Sequence, residues 1–423
     1  MMTAVSITSG NDPEKMVSTS LERLGGLEQF VSGNSALIKP NLGPWIPQII
    51  PKYVNQWATT NPIIVGALIK ELQRIGIKDI AVADGAFLDL DATAQLDESG
   101  MRTVVEAAGG RVIDLDQGNH VRVKVADTLA LEIAEPVLKT DNLINVPVMK
   151  THVQTKLTLG IKNLKGVVSK ASKRVMHRGD LERSLALLCQ ALKPKLTLVD
   201  GLLGMEGLGP AVFGKPTVPG LLVAGCDPVA VDAVSATIMG HDPSTIDHIV
   251  IAHQLGLGEI DVKNITIHGL SLQEAIHPFK PAQVGVHHIV QELGLEGIRY
   301  FGAEGAATSE CTGCIDTLLN ALIALKSDVE GLKRPLDIVI GSRDLPANIG
   351  ENRLLYGRCQ AKNKNEGTWL SECPPSIRDT YSAVAKMTLS RTEYMFALIK
   401  RLFKGTKVNP LPHWDQYKDI TFP

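Results

Sequence analysis

Apolar residues up to about Gly269 alternate between short continuous runs and stretches with helical spacing. The continuous runs predict buried strands at Ser35–Lys39, Asp79–Ala83, Arg111–Leu115, Asn142–Val146, Leu196–Val199 and Leu221–Ala224. Helical spacing predicts helices at Asn61–Ile75, Met101–Ala108, Leu181–Leu192 and Pro228–Met239. Because strands alternate with helices, we expect an α/β fold with a mostly parallel sheet and flanking helices.

The sheet pattern then weakens, and a smaller unit is predicted. A helix is expected at Ile315–Leu325 and a strand at Leu336–Ile340, followed by a basic amphipathic helix at Leu389–Phe403. We therefore divide the chain into an α/β domain at residues 1–300, a small α/β cysteine-bearing domain at 301–386, and a C-terminal helix and tail at 387–423. The helix is expected to pack on the core, with docking to a partner or a membrane surface as the alternative.

Polar residues follow several predicted strands. The groups at these ends are Lys39-Pro40-Asn41, Asp84-Gly85, Lys150-Thr151-His152 and Asp200-Gly201. In open α/β sheets the ligand crevice lies outside the carboxyl ends of the strands, so we expect these groups to border a site. The glycine-rich segment Gly201–Gly214 is predicted to be a flexible loop over that crevice. It matches neither a Walker-type phosphate loop nor a dinucleotide fingerprint, so neither ATP nor NAD is predicted.

A basic segment without any Asp or Glu runs from Lys150 to Gly179. Its basic side chains are Lys150, Lys156, Lys162, Lys165, Lys170, Lys173, Arg174 and Arg178, with His152 and His177. Such a segment favours an anionic small molecule or cofactor carrying phosphate or carboxylate groups. A solvated basic loop is the alternative.

Roles can be assigned to these candidates. Lys150, His152 and His177 are the candidates for acid–base work. The predicted ligand-binding side chains are Lys39, Asn41, Asp84, Lys162, Asn163, Lys165 and Arg178. Turn formation around Pro40 and capping by Asp84 remain open as structural alternatives.

Four of the six cysteines fall within a short C-terminal stretch. Cys311 and Cys314 form a C-x-x-C pair, Cys359 follows Gly357-Arg358, and Cys373 precedes two prolines. Four thiolates match a [4Fe–4S] cluster, and a cysteine before proline is a frequent cluster ligand. A Cys₄ zinc site is the alternative, although zinc ribbons usually offer two C-x-x-C pairs. Unligated cysteines also remain open.

Composition limits the remaining classes of function. The 423-residue chain is too long for one ordinary core, and its net charge of -2 gives no bulk basic field for nucleic acid. No apolar run of about 18 residues predicts a transmembrane segment, and the N-terminus has no signal-like pattern. Six cysteines without such a leader favour a reducing cytoplasm.

Several ordered motifs resemble the domain of unknown function 362 family. They include Leu37-Ile-Lys-Pro-Asn-Leu42, Thr60-Asn-Pro62, Asn145-Val-Pro-Val-Met-Lys-Thr-His152, Leu157-Thr-Leu-Gly-Ile-Lys-Asn-Leu-Lys-Gly166 and Asp227-Pro-Val-Ala-Val-Asp232. The resemblance spans roughly Ser35 to Gly258. It implies an α/β fold and, in many members, iron–sulfur ligands, but no particular reaction. The Thr-Asn-Pro and Asp-Gly elements also faintly resemble the N-terminal domain of nickel-pincer lactate racemases.

The cysteine motifs resemble the proximal iron–sulfur site of hydrogenase small subunits and of the related complex I subunit. The spacing is shorter here, and Glu372 stands where that pattern usually has glycine. The resemblance implies a cluster rather than hydrogenase activity. We therefore expect an iron–sulfur protein of redox character that exchanges electrons with a redox partner protein. A non-redox transferase or isomerase with a structural cluster, or a scaffold that delivers a cluster or metal, is the alternative.

Overall fold

The computed structural model describes residues 3–43, 56–86, 91–209, 213–282, 290, 293–302, 312–341 and 344–404. Its strands are β1 (Ala4–Ser9), β2 (Ser35–Pro40), β3 (Asp79–Asp84), β4 (Arg111–Asp114), β5 (His120–Ala126), β6 (Leu129–Ala134), β7 (Asn142–Val146), β8 (Val148–His152), β9 (Lys156–Thr158), β10 (Leu196–Leu208), β11 (Phe213–Thr217), β12 (Leu221–Gly225), β13 (Thr266–Gly269), β14 (Ile298–Phe301), β15 (Leu336–Ile340), β16 (Arg353–Tyr356) and β17 (Thr368–Leu370).

The helices carry the apolar faces that cover these strands. They are α1 (Pro13–Arg23), α2 (Pro62–Arg74), α3 (Ala92–Glu98), α4 (Met101–Ala107), α5 (Glu135–Lys139), α6 (Gly160–Asn163), α7 (Lys170–Arg178), α8 (Leu181–Leu192), α9 (Pro228–Ile238), α10 (Asp247–Gln254), α11 (Leu272–Ala275), α12 (Thr312–Asp328), α13 (Ile377–Thr388) and α14 (Arg391–Lys404). No described helix combines the length and apolarity needed to cross a bilayer.

The larger sheet confirms the predicted α/β architecture. Within the described residues its main order is β13-β1-β12-β10-β7-β2-β3-β4. The neighbours from β10 to β4 along this order are parallel, whereas β12 runs antiparallel to both β1 and β10. Parallel strands end at one edge, so the strand-end residues of β2 and β3 lie side by side.

Helices cover both faces of this sheet. Leu37 packs into the core with α8 and α9, while its neighbour Ile38 packs into the core with α1 and α2. Both side chains are at most 2% exposed. Successive strand residues point to opposite faces, so burial on both sides explains the continuous apolar runs seen in the sequence.

The prediction of a flexible loop at Gly201–Gly214 is wrong for residues 201–208 and 213–214, which form strands, while residues 210–212 lie outside the described residues. Strand β10 continues to Leu208 and forms an antiparallel hairpin with β11. An added Cβ on Gly201 would lie 2.9 Å from the Leu221 carbonyl oxygen, and one on Gly204 would lie 2.9 Å from that of Met149. These two glycines therefore allow close backbone packing, and flexibility is not their role.

A second parallel sheet forms the smaller unit, in the sequential order β14-β15-β16-β17. It starts at Ile298, slightly before the expected boundary at 301. The C-terminal helix α14 contributes Ala397 to the same apolar core, so it packs on this unit.

The core of the smaller unit extends into the larger one. Trp57, Ala58 and Val153 belong to the same buried cluster as Cys314 and Leu318 on α12. The two sheets therefore share apolar packing at the side where β8 lies.

Candidate functional site

A buried ion pair joins the ends of β2 and β3. The Lys39 Nζ lies 2.7 Å from Asp84 Oδ1, and the two residues are 1% and 3% exposed. Lys39 also donates to the Pro40 carbonyl at 2.8 Å. Burial lowers the pKa of Lys39, and the Asp84 carboxylate opposes that effect. This ion pair fixes one ammonium and one carboxylate at the adjacent ends of β2 and β3.

Glycine backbone closes tightly over this ion pair. An added Cβ on Gly166 would lie 2.1 Å from Asp84 Oδ1 and 2.6 Å from Lys39 Nζ. An added Cβ on Gly85 would lie 2.7 Å from the Gly166 carbonyl oxygen. No larger residue fits at either position without moving the pair, which explains glycine at both.

A chain of amides orients Lys150. Its Nζ donates to Asn41 Oδ1 and, at 2.9 Å, to the Ala58 carbonyl. The Asn41 Nδ2 donates to Asn163 Oδ1 at 2.8 Å, and the Asn163 Nδ2 donates to Asn145 Oδ1 at 2.8 Å. Burial, reinforced by the Lys39 charge and opposed by Asp84, lowers the pKa of Lys150 to about 7. Much of the Lys150 population is thus a neutral amine near pH 7.

The short helix α6 presents Lys162. Asp232 holds its first turn by accepting from the Gly160 and Ile161 amides at 2.7 and 2.8 Å. Lys162 is 8% exposed and has no hydrogen-bond or ion-pair partner in the described part of the chain. Burial, then the Lys150 charge, lowers its pKa to about 7, and Glu182 opposes this.

The two histidines form a network with Gln154. His152 Nδ1 accepts from the backbone amides of Gln154 and Thr155 at 3.0 and 3.1 Å. His177 Nδ1 lies 3.0 Å from Gln154 Oε1, and its Nε2 pairs with Lys165 Nζ. This network assigns a proton to Nδ1 of His177, because an ammonium can only donate to Nε2. Burial and the neighbouring lysines lower both histidine pKa values well below 6.5, so both rings are neutral at pH 7.

Several buried lysines lie close enough together for the charge of one to lower the pKa of another. We call Lys39, Lys150, Lys162, Lys165 and Lys173 the lysine cluster. Lys150 and Lys165 lower the pKa of His152, Lys39 lowers that of Lys150, and Lys173 lowers that of Lys39. Lys173 also donates to the Ala86 carbonyl at 3.1 Å and has a pKa lowered by burial. In the sequence Lys173 belongs to the basic segment, but its pattern does not mark it as a site residue.

Three strand ends are tied together by the Thr60-Asn61 pair. The Thr60 hydroxyl accepts from the Asn41 amide at 2.7 Å and donates to the Val146 carbonyl at 2.7 Å. The Asn61 amide donates to Asp200 Oδ2 at 2.8 Å. Burial raises the pKa of Asp200 to about 7. Asp200 therefore ties β10 to the start of α2, and the Thr-Asn-Pro motif has a structural explanation.

The structure thus brings most predicted ligand-binding and acid–base residues together. The exception is Arg178, whose side chain lies outside the described residues. Asn145 and Gln154 were not predicted as parts of the site, whereas Gly166 was expected to allow close backbone approach to a ligand. Asn145 and Gly166 lie in the quoted motifs, but only their contacts show what each one orients.

The cysteine-bearing segments all follow strands of the smaller sheet. Cys314 lies in the first turn of α12, Cys359 follows β16 and Cys373 follows β17, while Cys311 lies outside the described residues. Within the described ranges, no group of three His, Cys, Asp or Glu side chains is placed to hold a metal. The metal site therefore remains a prediction.

Backbone contacts nevertheless join these segments. The Gly357 amide donates to the Leu370 carbonyl at 2.9 Å, and the Arg358 amide donates to that of Glu372 at 3.1 Å. Gly357 has a φ of 86°, and an added Cβ there would lie 3.3 Å from Cys314 Sγ. The residues before Cys359 and Cys373 are thus bonded to each other, with space kept open beside the Cys314 sulfur.

The other two cysteines have structural positions. Cys189 is 2% exposed on α8, and burial raises the pKa of its thiol. Cys226 is partly buried, and burial likewise raises its thiol pKa. Both thiols stay protonated and unreactive at neutral pH.

Residues 36–237 match the family described as domain of unknown function (DUF362). The Thylakoid-associated protein of Synechocystis sp. (strain ATCC 27184 / PCC 6803 / Kazusa) is 32% identical over 253 residues, covering 56% of this chain and 74% of that protein.

Two solved structures show weaker likeness. The lactate racemase apoprotein from Thermoanaerobacterium thermosaccharolyticum is 13% identical with a TM-score of 0.37, covering 56% of this chain and 57% of that one. A Thermotoga maritima protein is 10% identical with a TM-score of 0.34, covering 78% and 71%. Likeness at this level carries no argument about function.

Proposed function

This chain belongs to the domain of unknown function (DUF362) family, and on that premise we propose that its lysine cluster binds a small oxyanion such as a phosphate or a carboxylate. One observation carries the proposal. Lys162 is buried, and no partner for its ammonium exists in the described residues. A buried ammonium is unfavourable unless an anion or acceptor meets it, so an anionic ligand would supply what the protein lacks.

The balance of charge also supports an anion. Among the described contacts, two carboxylates pair directly with the five lysines of the cluster: Asp84 lies 2.7 Å from Lys39, and Asp116 lies 3.8 Å from Lys173. An added anion would favour the protonated form of Lys150 and Lys162, whose pKa values of about 7 would then rise. Binding near pH 8 would therefore be accompanied by proton uptake.

The same side chains suit proton transfer on a bound ligand. An amine with a pKa of about 7 is well matched to act as a general base near neutral pH, and Lys150 is oriented by two hydrogen bonds. Neutral His152, whose Nδ1 accepts backbone hydrogen bonds, carries its proton on Nε2 and can donate it to the ligand without adding charge, while neutral His177 holds Gln154 and Lys165 in place. Lys150 is thus the proposed proton acceptor, with both histidines as hydrogen-bonding groups.

For the smaller unit we propose a [4Fe–4S] cluster on Cys311, Cys314, Cys359 and Cys373. Such a cluster would supply one-electron transfer, which gives the protein redox character and requires a redox partner protein. The shared apolar core supports a link between the sites: Ala58 accepts from Lys150 and packs in the cluster of buried residues that contains Cys314. If the same cysteines bound zinc, the protein would instead be a non-redox enzyme or a metal-delivery scaffold.

The proposed compartment is the cytoplasm. A relative is named for association with the thylakoid, a membrane system, so attachment to a membrane surface is compatible with this proposal. Cell fractionation with an antibody against the full chain distinguishes a soluble from a peripheral location.

Calorimetric titration of the full chain with inorganic phosphate and with oxalate tests the oxyanion proposal. We expect binding of at least one of them in wild type and a loss of at least tenfold in affinity in Lys162→Met. The matched control is Lys139→Met, because the Lys139 side chain is 70% exposed and pairs with Glu135 on the same helix. Equal affinity in wild type and Lys162→Met would contradict the proposal.

Anaerobic reconstitution tests the cluster proposal. We expect about four iron and four sulfide per chain, with a visible brown colour. Substituting serine at Cys314, Cys359 or Cys373 should lower the iron content. A colourless protein with one zinc per chain would refute the redox assignment and leave the oxyanion proposal standing.

A further inference from the structure

Helix α14 has apolar residues on two opposite faces. Its inner face carries Tyr394, Ala397 and Leu398, which pack on the core of the smaller unit. Its outer face carries Met395, Phe396 and Ile399, which are 51%, 68% and 45% exposed. A surface helix normally presents polar residues to water, so an apolar outer face indicates that another surface covers it.

The inner face holds the helix firmly in place. Arg401 donates to Asp328 Oδ2, and the Tyr381 hydroxyl donates to the same carboxylate at 3.0 Å. Lys400 donates to the Asp328 carbonyl at 3.1 Å. The outer face is therefore presented by a docked helix rather than by a frayed end.

Basic side chains border the outer face. Arg391 starts the helix and Lys400 lies near its end, and both are exposed. Arg334 donates to the Lys386 carbonyl at 3.0 Å, so Arg334 and Lys386 are two more basic residues beside the start of the helix. Glu393 is the acidic residue on α14, and it lies 3.4 Å from Lys333. The surroundings are thus cationic, although the whole chain has a net charge of -2.

We propose that the outer face of α14 docks on the surface of a lipid bilayer that contains anionic phospholipids. An exposed apolar strip with cations at its edges is the pattern of an interfacial helix: apolar side chains enter the acyl boundary, and basic ones meet the headgroups. The helix has 14 residues, too few to cross the bilayer, so it lies in the plane of the interface.

A second copy of the chain is the competing occupant, and charge argues against it. In a symmetric dimer the same cationic borders would face each other, with Glu393 already paired to Lys333. An anionic bilayer neutralises those cations instead.

Vesicle flotation of the full chain tests the proposal. The vesicles are phosphatidylcholine alone, or phosphatidylcholine with phosphatidylglycerol. We expect binding to the anionic vesicles, weaker binding at high salt, and at least a tenfold loss of binding in Phe396→Ser/Ile399→Ser. Arg391→Glu should lower binding several-fold. The control is Val218→Ser, because Val218 is 53% exposed and lies between β11 and β12 of the larger sheet.

Two kinds of result overturn the proposal, one from flotation and one from ultracentrifugation. One is wild-type protein that fails to float with anionic vesicles, or a double variant that floats as well as wild type. The other is a wild-type dimer in analytical ultracentrifugation that becomes a monomer in the double variant, which assigns the face to a second copy. Because both substituted side chains are exposed, unchanged melting temperatures confirm that the variants fold.

Discussion

Replacing Lys162 with methionine should change how the stability of the protein depends on pH. The Lys162 pKa is about 7 in the folded chain and 10.5 in an unperturbed lysine. Between these values the unfolded chain binds more protons than the folded chain, so raising the pH through this window stabilises the fold. The penalty for burying this amine is fully present below about pH 7 and vanishes above about pH 10.5.

The magnitude follows from the two pKa values. At about 1.4 kcal/mol for each pKa unit, wild type should gain about 2 kcal/mol from this lysine between pH 7 and pH 9. Methionine has a similar length and no charge, so Lys162→Met lacks that gain. The difference in unfolding free energy between variant and wild type should therefore shrink by about 2 kcal/mol over the same range.

Urea unfolding at several pH values, in buffers free of phosphate and carboxylate, measures this difference. Lys150 titrates in both proteins and its charge lowers the Lys162 pKa, so the difference between the curves reports Lys162 together with its coupling to Lys150. Lys139→Met should run parallel to wild type, because its side chain is 70% exposed. Parallel curves for Lys162→Met and wild type would refute the conclusion that Lys162 is buried without a counter-ion.

Three further outcomes are expected. Gly166→Ala should abolish phosphate binding and lower the unfolding free energy by about 3 kcal/mol, because its methyl group would displace a buried ion pair. The control is Gly331→Ala, which should change the unfolding free energy by less than about 0.5 kcal/mol, because a Cβ added there has no described neighbour within 4 Å. In ¹⁵N NMR spectra His177 should carry its proton on Nδ1 and should not titrate between pH 6 and pH 8, since its pKa lies well below 6.5; an imidazolium signal at pH 7 would contradict the burial argument. Cys359→Ser should reduce reconstituted iron, whereas Cys189→Ser should leave it unchanged, because the buried Cys189 thiol stays protonated.

Much of the fold was predictable because its strands are buried on both faces. Asn142–Val146, Leu181–Leu192 and Leu336–Ile340 have the predicted bounds. The longer extent of β10 was not predictable, because glycine in a sequence indicates flexibility and close packing equally well. Only the neighbours of Gly201 and Gly204 distinguish the two.

The candidate site, like the fold, was predictable from the sequence only in part. Strand-end position and the absence of acids predicted that Lys39, Lys150 and Lys162 would border one crevice. Their protonation could not be predicted, because it depends on burial and on neighbours far away in the chain. Lys150 and Lys162 titrate near 7 because they are buried beside other cations, whereas Lys39 is held by the Asp84 carboxylate.

The sequence by itself determined the α/β class, the acid-free basic segment and the cysteine pattern, since these depend on residue type and local periodicity. Tertiary structure alone decided which buried lysine makes no ion pair or hydrogen bond with the described residues, that Asp232 anchors α6, and that Ala58 joins the core containing Cys314. It also decided that α14 has one covered and one exposed apolar face. The physical reason is that desolvation and pairing depend on what surrounds a side chain in space, which a one-dimensional pattern does not specify.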